Sequence, residues 1–354
     1  MISKVEPLVT IIILNWNKWQ DTVECLASLS HLTYPNYRIV LVDNNSLNDS
    51  VTQIKAFLTG QRVEGIQTHF SQLVERPDMT KLQFMIQKID NYPFDYSSFQ
   101  DDSGQHLWLL LSENLGFARA NNLAIAIASQ LYNPDYFFLL NNDTVVEPDA
   151  VTHLVTAMTS DATIAAAQPV IYYYSNPVQI ANAGGIILPW GQTRYYTKIR
   201  AHTWQKITFI NGCALFLRRE TIEKFGALTE RFFFAEEDFE YSLRLKRQRA
   251  RAICVADSKI YHKIGASEIA QNIERKVVLF AVNRLVDLKH YYVPIIWRFW
   301  ASLSLLYFWG LLFFKYRVGW KKSANLISEA RQWVHQVSEV DKDTVMAILR
   351  RGVQ

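Results

Sequence analysis

Tyr136-Phe137-Phe138-Leu139-Leu140-Asn141-Asn142-Asp143-Thr144 decides how the chain is read. An unbroken aromatic and aliphatic run, cut off by amides, a carboxylate and a hydroxyl, is the pattern of a strand buried in a parallel sheet. Open α/β sheets hold ligands at the carboxyl ends of their strands. There a lone Asp143, with Asn142 and Thr144 as neutral oxygen donors, suits a hard divalent cation that also grips a phosphate. Turn chemistry alone explains Asn-Asn-Asp equally well, so the neighbouring strands must decide.

Working outward, Val9–Leu14 stops at Asn15-Trp16-Asn17, Arg38–Val42 stops at Asp43-Asn44-Asn45-Ser46, and Leu107–Leu111 stops at Ser112-Glu113-Asn114. Helical patterns occupy Lys18–Leu32, Ser50–Leu58 and Gly116–Leu131. Such alternation predicts an α/β fold with a mostly parallel sheet and right-handed crossovers. It lines four polar clusters along one sheet edge, which a ligand explains better than four coincident turns. No Gly-x-Gly-x-x-Gly or Gly-x-x-x-x-Gly-Lys-Ser/Thr loop cradles a phosphate. A metal on Asp143 is then the natural neutraliser of a diphosphate, and Asp43 the carboxylate that meets a nucleobase or ribose. Residues 60–106 read as an irregular insertion with a short helix over Lys81–Ile89.

The 354 residues, 49% hydrophobic and 20% charged, describe a globular chain with ample core. A net charge of +4 is too small to argue for nucleic acid, and no nucleic-acid partner is expected. Cys25, Cys213 and Cys254 lie far apart without Cys-x-x-Cys spacing, which favours buried thiols in a reducing, cytoplasmic setting. Met1–Pro7 offers no signal-peptide core, again as an expectation.

In the second half, Ala165–Ile171 and Phe209–Leu217 read as strands, with hairpins and loops between them. Gly212 inside the latter marks close approach by another group. Phe232-Phe233-Phe234-Ala235 runs into Glu236-Glu237-Asp238-Phe239-Glu240, four acids in five positions opening a helix to about Arg249. Acids there favour the helix dipole, and Glu240–Arg244 is an i,i+4 pair. A carboxylate against apolar surface also has a raised pKa, which suits a general base. Asp238 is the choice, with Glu237 the nearest competitor. His262 ends a strand-like run, where a metal or phosphate contact competes with a purely structural role.

From about Asn272 the chain changes character: a helix over Ile273–Tyr292 leads to an apolar, aromatic segment over 295–314, bordered by Lys315, Arg317, Lys321 and Lys322. Past Arg298 it is shorter than the roughly 20 residues of a spanning helix. Two readings stay open: an element lying on a membrane surface, or a core or homodimer helix. The domain division is 1–270, with a nucleotide-binding half over 8–145 and an acceptor half over 146–270, then a helical extension over 271–354.

Val9–Asn15, Val42–Ser46, Glu113–Ala118, Leu140–Thr144, Asn211-Gly212-Cys213-Ala214 and Glu237-Asp238-Phe239-Glu240, in that order, resemble the family 2 inverting glycosyltransferases, nearest to rhamnosyltransferase-like members. The resemblance spans about 8–290 and implies a GT-A fold. It implies that Asn15, Asp43 and Asn45 hold the nucleoside and that Asn114, Gly116 and Asn121 line a nucleotide-sugar pocket. Asn17 and Asn142 are placed beside them, and Asn211, Gly212 and Glu240 on the acceptor side. Asp143 matches the metal-binding end of the family's Asp-x-Asp motif, Asp238 its catalytic base, and His262 a histidine near the diphosphate. Asn283-Arg284 matches a further position of open role. Asn141 stands where many members carry a first acid, leaving Asp143 as the one charged ligand of that turn. The reaction implied by the resemblance is single-displacement transfer, with Mg²⁺ or Mn²⁺, from dTDP-rhamnose or a UDP-sugar. The acceptor would be a hydroxyl of a glycan or lipid-linked molecule in cell-envelope polysaccharide synthesis, at the cytoplasmic face of the membrane. The rival readings are a nucleotidyltransferase, which would want a Gly-rich basic loop after the first strand, and a non-catalytic carbohydrate-binding or membrane scaffold.

Overall fold

A computed structural model describes residues 6–90, 92–93, 104–200, 203–264 and 272–351. The first half runs β1 (Val9–Asn15), α1 (Trp19–Ser30), β2 (Tyr37–Asp43), α2 (Ser50–Leu58), α3 (Ser71–Val74), β3 (Phe84–Ile89), β4 (His106–Leu111), α4 (Gly116–Tyr132), β5 (Tyr136–Asn141), β6 (Thr144–Val146) and α5 (Ala150–Ser160). Next come β7 (Ile164–Tyr173), β8 (Asn176–Asn182), β9 (Gly185–Ile187), β10 (Thr193–Tyr195), β11 (Trp204–Ile207), β12 (Ala214–Arg218), α6 (Arg219–Phe225), α7 (Glu237–Arg247) and β13 (Arg251–His262). Four helices close the chain: α8 (Ile273–Tyr291), α9 (Pro294–Gly310), α10 (Trp320–Gln336) and α11 (Lys342–Arg350).

The main sheet has 11 strands, with a central path β11-β13-β7-β12-β5-β1-β2-β4-β3. Its β5-β1-β2-β4-β3 half is parallel throughout, and β12 enters antiparallel between β5 and β7. Register is in step: Asn15 lies opposite Asp43, Leu14 opposite Asn141, and Asp43 opposite Leu110. The polar strand ends therefore emerge on one edge. Side chains alternate between faces. Ile11, Ile13, Phe138 and Leu140 pack with Leu26 and Leu29 of α1, while Ile12, Phe137 and Leu139 pack with Ala124 and Ile127 of α4.

Two local readings need correction. Lys81–Ile89 is not a helix: Phe84–Ile89 forms a parallel edge strand on β4, with Phe84 opposite His106. Pairing along the open edge of β4 outweighs local propensity there. Phe209–Leu217 is not one strand either. The chain turns at Asn211–Cys213, and β12 begins only at Ala214.

The C-terminal helices have their own apolar core, including Val278, Val282, Leu312, Val334 and Ile348, and this core takes in Phe232. Val340 N–H donates to Arg231 O (2.7 Å), and Phe233 N–H donates to Val340 O (2.9 Å). The extension thus fastens the segment that leads into α7. A π-helical turn over Leu311–Lys315 continues α9, so the helical run is 22 residues and long enough by length and composition to cross a membrane. It exceeds the length expected from sequence because the helix begins at Pro294, ahead of Arg298. Ala301, Ser304, Phe308 and Leu312 nevertheless face inward, while Ile295, Phe299, Leu306 and Phe314 stay exposed.

Candidate active site

At the sheet edge, side chains from successive strands bind one another. Asn15, fully buried, donates to Asp43 Oδ2 (2.6 Å) and Ser46 Oγ (3.1 Å), and its own oxygen accepts from Thr22 of α1 (2.8 Å). Ser46 N–H and Oγ also donate to Asp43, at 2.8 Å each. Asn44 donates to Asn114 Oδ1 and Gly116 O, both at 3.1 Å, and accepts from Leu115 N–H at 2.9 Å. Asn17 and Asn45 take the left-handed conformation that ends each strand in a tight turn, and Asn17 Oδ1 accepts from Leu47 N–H (2.7 Å). Asn15, Asn17 and Asn45 therefore shape the edge from behind. Asp43 is nearly buried, with Oδ1 accepting a single bond.

In front lies a cleft of about 220 Å³ whose lining includes Asn44, Asn114, Gly116, Asn121, Asn142 and Asp143. Asn121 and Asn142 are held by Phe117 O and Thr22 Oγ1, each at 2.9 Å. The opposite wall is Phe233 and Phe234. Gly116 joins the walls: it has φ +77°, and a Cβ there would meet Phe233 O at 2.6 Å. Only glycine fits. Trp16, Lys18 and Asp21 at the start of α1 also line the cleft, as do the two Phe side chains, and sequence reasoning places none of these in the pocket. Trp16 and Lys18 directly succeed the first polar strand end, which is the available signal.

Phe233-Phe234 leads into Ala235 (φ 64°) and Glu236 (φ 78°), two consecutive non-glycine residues in the left-handed region. Such backbone costs about 1–3 kcal/mol per residue and persists only where the surroundings enforce it. Enforcement comes from α8. Asn283 Nδ2 donates to Phe234 O (2.9 Å), and Arg284 donates to Glu236 and to Gly191 O while its guanidinium lies 3.4 Å from the Phe239 ring centroid. The Asn283-Arg284 pair, whose role is open in the sequence, thereby holds the strained turn.

The strained turn delivers Asp238 to the Asn211–Cys213 turn. Gly212 N–H donates to Asp238 Oδ2 (3.1 Å) and Phe239 N–H to Oδ1 (2.7 Å). Gly212 is where the close approach occurs: a Cβ there would lie 3.0 Å from Asp238 Cβ. Asn211 sits beside it, its N–H bonded to Gln168 Oε1 (2.9 Å) and its Oδ1 accepting from Cys213 N–H (3.0 Å). Burial raises the Asp238 pKa above the ordinary carboxylate value, and the Gly212 and Phe239 amides and Arg284 pull part of it back. Burial and the charge of Asp238 push Glu237 up to about 8, and one of its oxygens is buried without a partner. Burial lifts Glu236 to about 7 against the pull of Arg284. Glu240 is different. Placed on the acceptor side from sequence, it is buried and engaged by Arg244 (3.1 and 2.5 Å) and Tyr291, joining α7 to α8 away from the cleft.

Asn141 N–H donates to Cys213 O (2.9 Å), so the β5 end carrying Asp143 abuts the turn that holds Asp238. Strand β13 runs antiparallel to β6 with His262 opposite Thr144, which sets His262 Nε2 3.1 Å from Asp143 Oδ1. That oxygen is buried, and the His262 ring is the group it meets. Burial opposes a charged His262 ring, but Cys213 and Asp143 beside it hold its pKa well above the ordinary value.

The sequence model of glycosyl transferase family 2 matches residues 10–71 and 95–226, more than half of the chain. The chain belongs to glycosyl transferase family 2. The gap in the match falls within the expected insertion, around strand β3. A curated relative, the O-antigen biosynthesis protein RfbC of Myxococcus xanthus, is 26% identical over 263 residues, which is 69% of this chain and 16% of RfbC. This chain therefore spans less than a fifth of that relative. Among solved structures, the mannosyltransferase PcManGT of Pyrobaculum calidifontis with GDP-Man and Mn²⁺ shares the fold at TM-score 0.52 and 14% identity, covering 98% of this chain and 86% of that one. GalNAc-T7 with UDP, GalNAc and Mn²⁺ aligns at 0.54 and 13%, covering 81% and 48%. S. aureus TarS 1-349 aligns at 0.51 and 11%, covering 96% and 83%. The α/β architecture of this family 2 glycosyltransferase is thus the one expected.

Among the described residues, no group of three or more His, Cys, Asp and Glu side chains gathers around one point. Asp143 and His262 face each other at 3.1 Å, so a cation held there would displace the proton between them, with Asp143 as the charged ligand and oxygen ligands from substrate and water completing the shell.

Proposed function

We propose that this glycosyltransferase moves a sugar from a nucleoside-diphosphate donor to an acceptor hydroxyl by a single displacement with inversion. The observation that supports this reading is the juxtaposition across Asn211–Cys213: the buried Asp143–His262 pair at one side, and Asp238 with a raised pKa on the other. The nucleoside lies against the Asn44–Asn114 edge near Asp43, and the diphosphate lies toward Asp143 and His262. Asp238 takes the proton of the acceptor hydroxyl, whose oxygen bonds the anomeric carbon as the bond to the diphosphate breaks. Glu237, lifted to about 8 by burial and by the charge of Asp238, holds a proton at neutral pH, and Asp238, anchored by the Gly212 and Phe239 amides, is the base. A divalent cation, Mg²⁺ or Mn²⁺, would supply charge compensation for the leaving diphosphate at Asp143 and His262. The two metal-bound glycosyltransferase structures of like fold support a metal.

The finer assignment is rhamnose from dTDP-rhamnose, with a UDP-sugar as the alternative, going to a glycan or lipid-linked acceptor of an envelope polysaccharide. The likeness to an O-antigen biosynthesis protein supports it. The exposed apolar face of α9, with Lys315, Arg317, Lys321 and Lys322 beyond it, supports work at the cytoplasmic face of an anionic membrane. A screen of nucleotide sugars for nucleoside-diphosphate release, with and without Mg²⁺ or Mn²⁺, tests the reading. Metal-dependent release from one donor is expected, and no release from any donor would overturn it.

A further inference from the structure

Outside the cleft, the β9–β10 hairpin, the chain after it and β11 enclose a second pocket of about 460 Å³. Its charged lining is Arg194, Lys198, Arg200 and Lys206, with no carboxylate. None of the four forms an ion pair among the described residues. Scattered surface cations are ordinary and well solvated. Four of one sign around a single concavity focus their field and attract a multiply charged anion. Arginine's planar fork suits phosphate in particular.

The place of the pocket in the fold gives that charge a purpose. Tyr195 belongs to its wall and packs its ring 5.3 Å from Phe209, three residues before the Gly212 that holds Asp238. Half of Tyr195 is exposed, but its phenol end is desolvated and lies in the field of Asp238, Arg284, Glu236 and Tyr307 of α9. The loop before β10 touches both neighbours as well. Gly191 O accepts from Arg284, and Pro189 lies with Ile295, Ile296 and Phe299 in the apolar groove along α9. The hairpin therefore stands between the catalytic carboxylate and the exposed face of α9. An acceptor that presents a hydroxyl to Asp238 from this side passes the basic pocket first.

We infer that the Arg194–Lys198–Arg200–Lys206 pocket is an acceptor subsite for a phosphate or diphosphate group carried by an amphiphilic acceptor. The inference rests on the glycosyl-transfer reading above, with Asp238 as base. The phosphate sits in the pocket, the sugar beyond it reaches Asp238, and the apolar part lies along Ile295 and Phe299. The donor diphosphate uses the other wall, at Asp143.

Inorganic pyrophosphate titrated into the metal-free full chain, monitored by calorimetry, tests this. The double variant R194Q/R200Q is expected to bind it about tenfold more weakly or worse, the worth of one or more charge-assisted hydrogen bonds. Asp143→Asn should bind it as the wild type does. Equal binding by the double variant and the wild type, or loss of binding in Asp143→Asn alone, would overturn the assignment. Metal-dependent release of nucleoside diphosphate without acceptor should be unchanged in R194Q/R200Q, because those residues stand apart from the donor wall. Absence of release in the wild type instead defeats the transfer reading, so the two failures are distinct. Co-sedimentation with phosphatidylglycerol vesicles separates a lipid headgroup from the acceptor phosphate. Retained vesicle binding by R194Q/R200Q supports the acceptor subsite, and lost vesicle binding with unchanged pyrophosphate binding overturns it.

Discussion

Along the ends of β1, β2 and β4 the polar side chains bond one another, whereas around Ala235–Asp238 a buried Glu237 oxygen goes without a partner among the described residues. On the proposed donor wall Asn15, Asp43 and Ser46 bond one another in a triangle, and Asn44 bonds Asn114 beside it. On the proposed catalytic wall Glu236 and Asp238 share the charge of one buried arginine, two residues hold left-handed backbone, and a Glu237 oxygen has no partner among the described residues. The first wall is rigid because its bonds are made before any ligand arrives. The second stores unfavourable terms and depends on α8 and the C-terminal core to hold them in place. We propose donor binding at the strand-end wall and proton transfer at the wall that carries Asp238.

The sharpest way to break this comparison is Asp238→Asn. If the catalytic wall does proton transfer alone, acceptor-dependent turnover falls by about 100- to 10,000-fold while donor binding persists. Steady-state transfer assays read the first and calorimetry the second. A smaller loss is expected for Gly212→Ala. The added methyl pushes Asp238 by a few tenths of an ångström, and turnover should drop by roughly tenfold with donor binding unchanged.

On the proposed donor wall, Asn44→Ala removes three hydrogen bonds and leaves Leu115 N–H unpaired, while Asn114 Oδ1 keeps the Gly116 N–H. It should cost about 1–3 kcal/mol of stability, read by denaturant unfolding, and weaken the donor more than the acceptor. A further effect, read on stability and not on turnover, concerns Glu237. Its folded pKa of about 8 lies above the ordinary 4.5, so the folded chain holds a proton that the unfolded chain has lost. Stability therefore falls as pH rises from about 4.5 to 8. Glu237→Gln should flatten that slope and raise the melting temperature above pH 8, as a pH series of thermal melts would show.

The same contrast explains how far the residues alone disclose the site. The donor wall is legible because buried parallel strands leave apolar runs, and their ends leave amides and acids at predictable places. Asp143, Asn114 and Gly116 reach the cleft for that reason. Which side chains face the ligand is not legible. Asn15 and Asn17 turn inward because neighbouring strand ends offer them partners, and no periodicity records that. Glu240 carries the same acidic signature as Asp238 but points to Arg244 and Tyr291, since the turn of the helix separates cleft from interface. Arg284 is visible only as part of a motif, its purpose set by a strained turn 48 residues away. The edge strand Phe84–Ile89 escapes a local reading because strand pairing is a tertiary decision.

The division of labour between the walls is tested most directly by calorimetric binding of a nucleoside diphosphate, with Mn²⁺ and after chelation, to Asp143→Asn and Asp238→Asn side by side. The account predicts near-wild-type, metal-dependent affinity in Asp238→Asn and loss of the metal-dependent share in Asp143→Asn. The reverse pattern, or an equal loss in both variants, would contradict it.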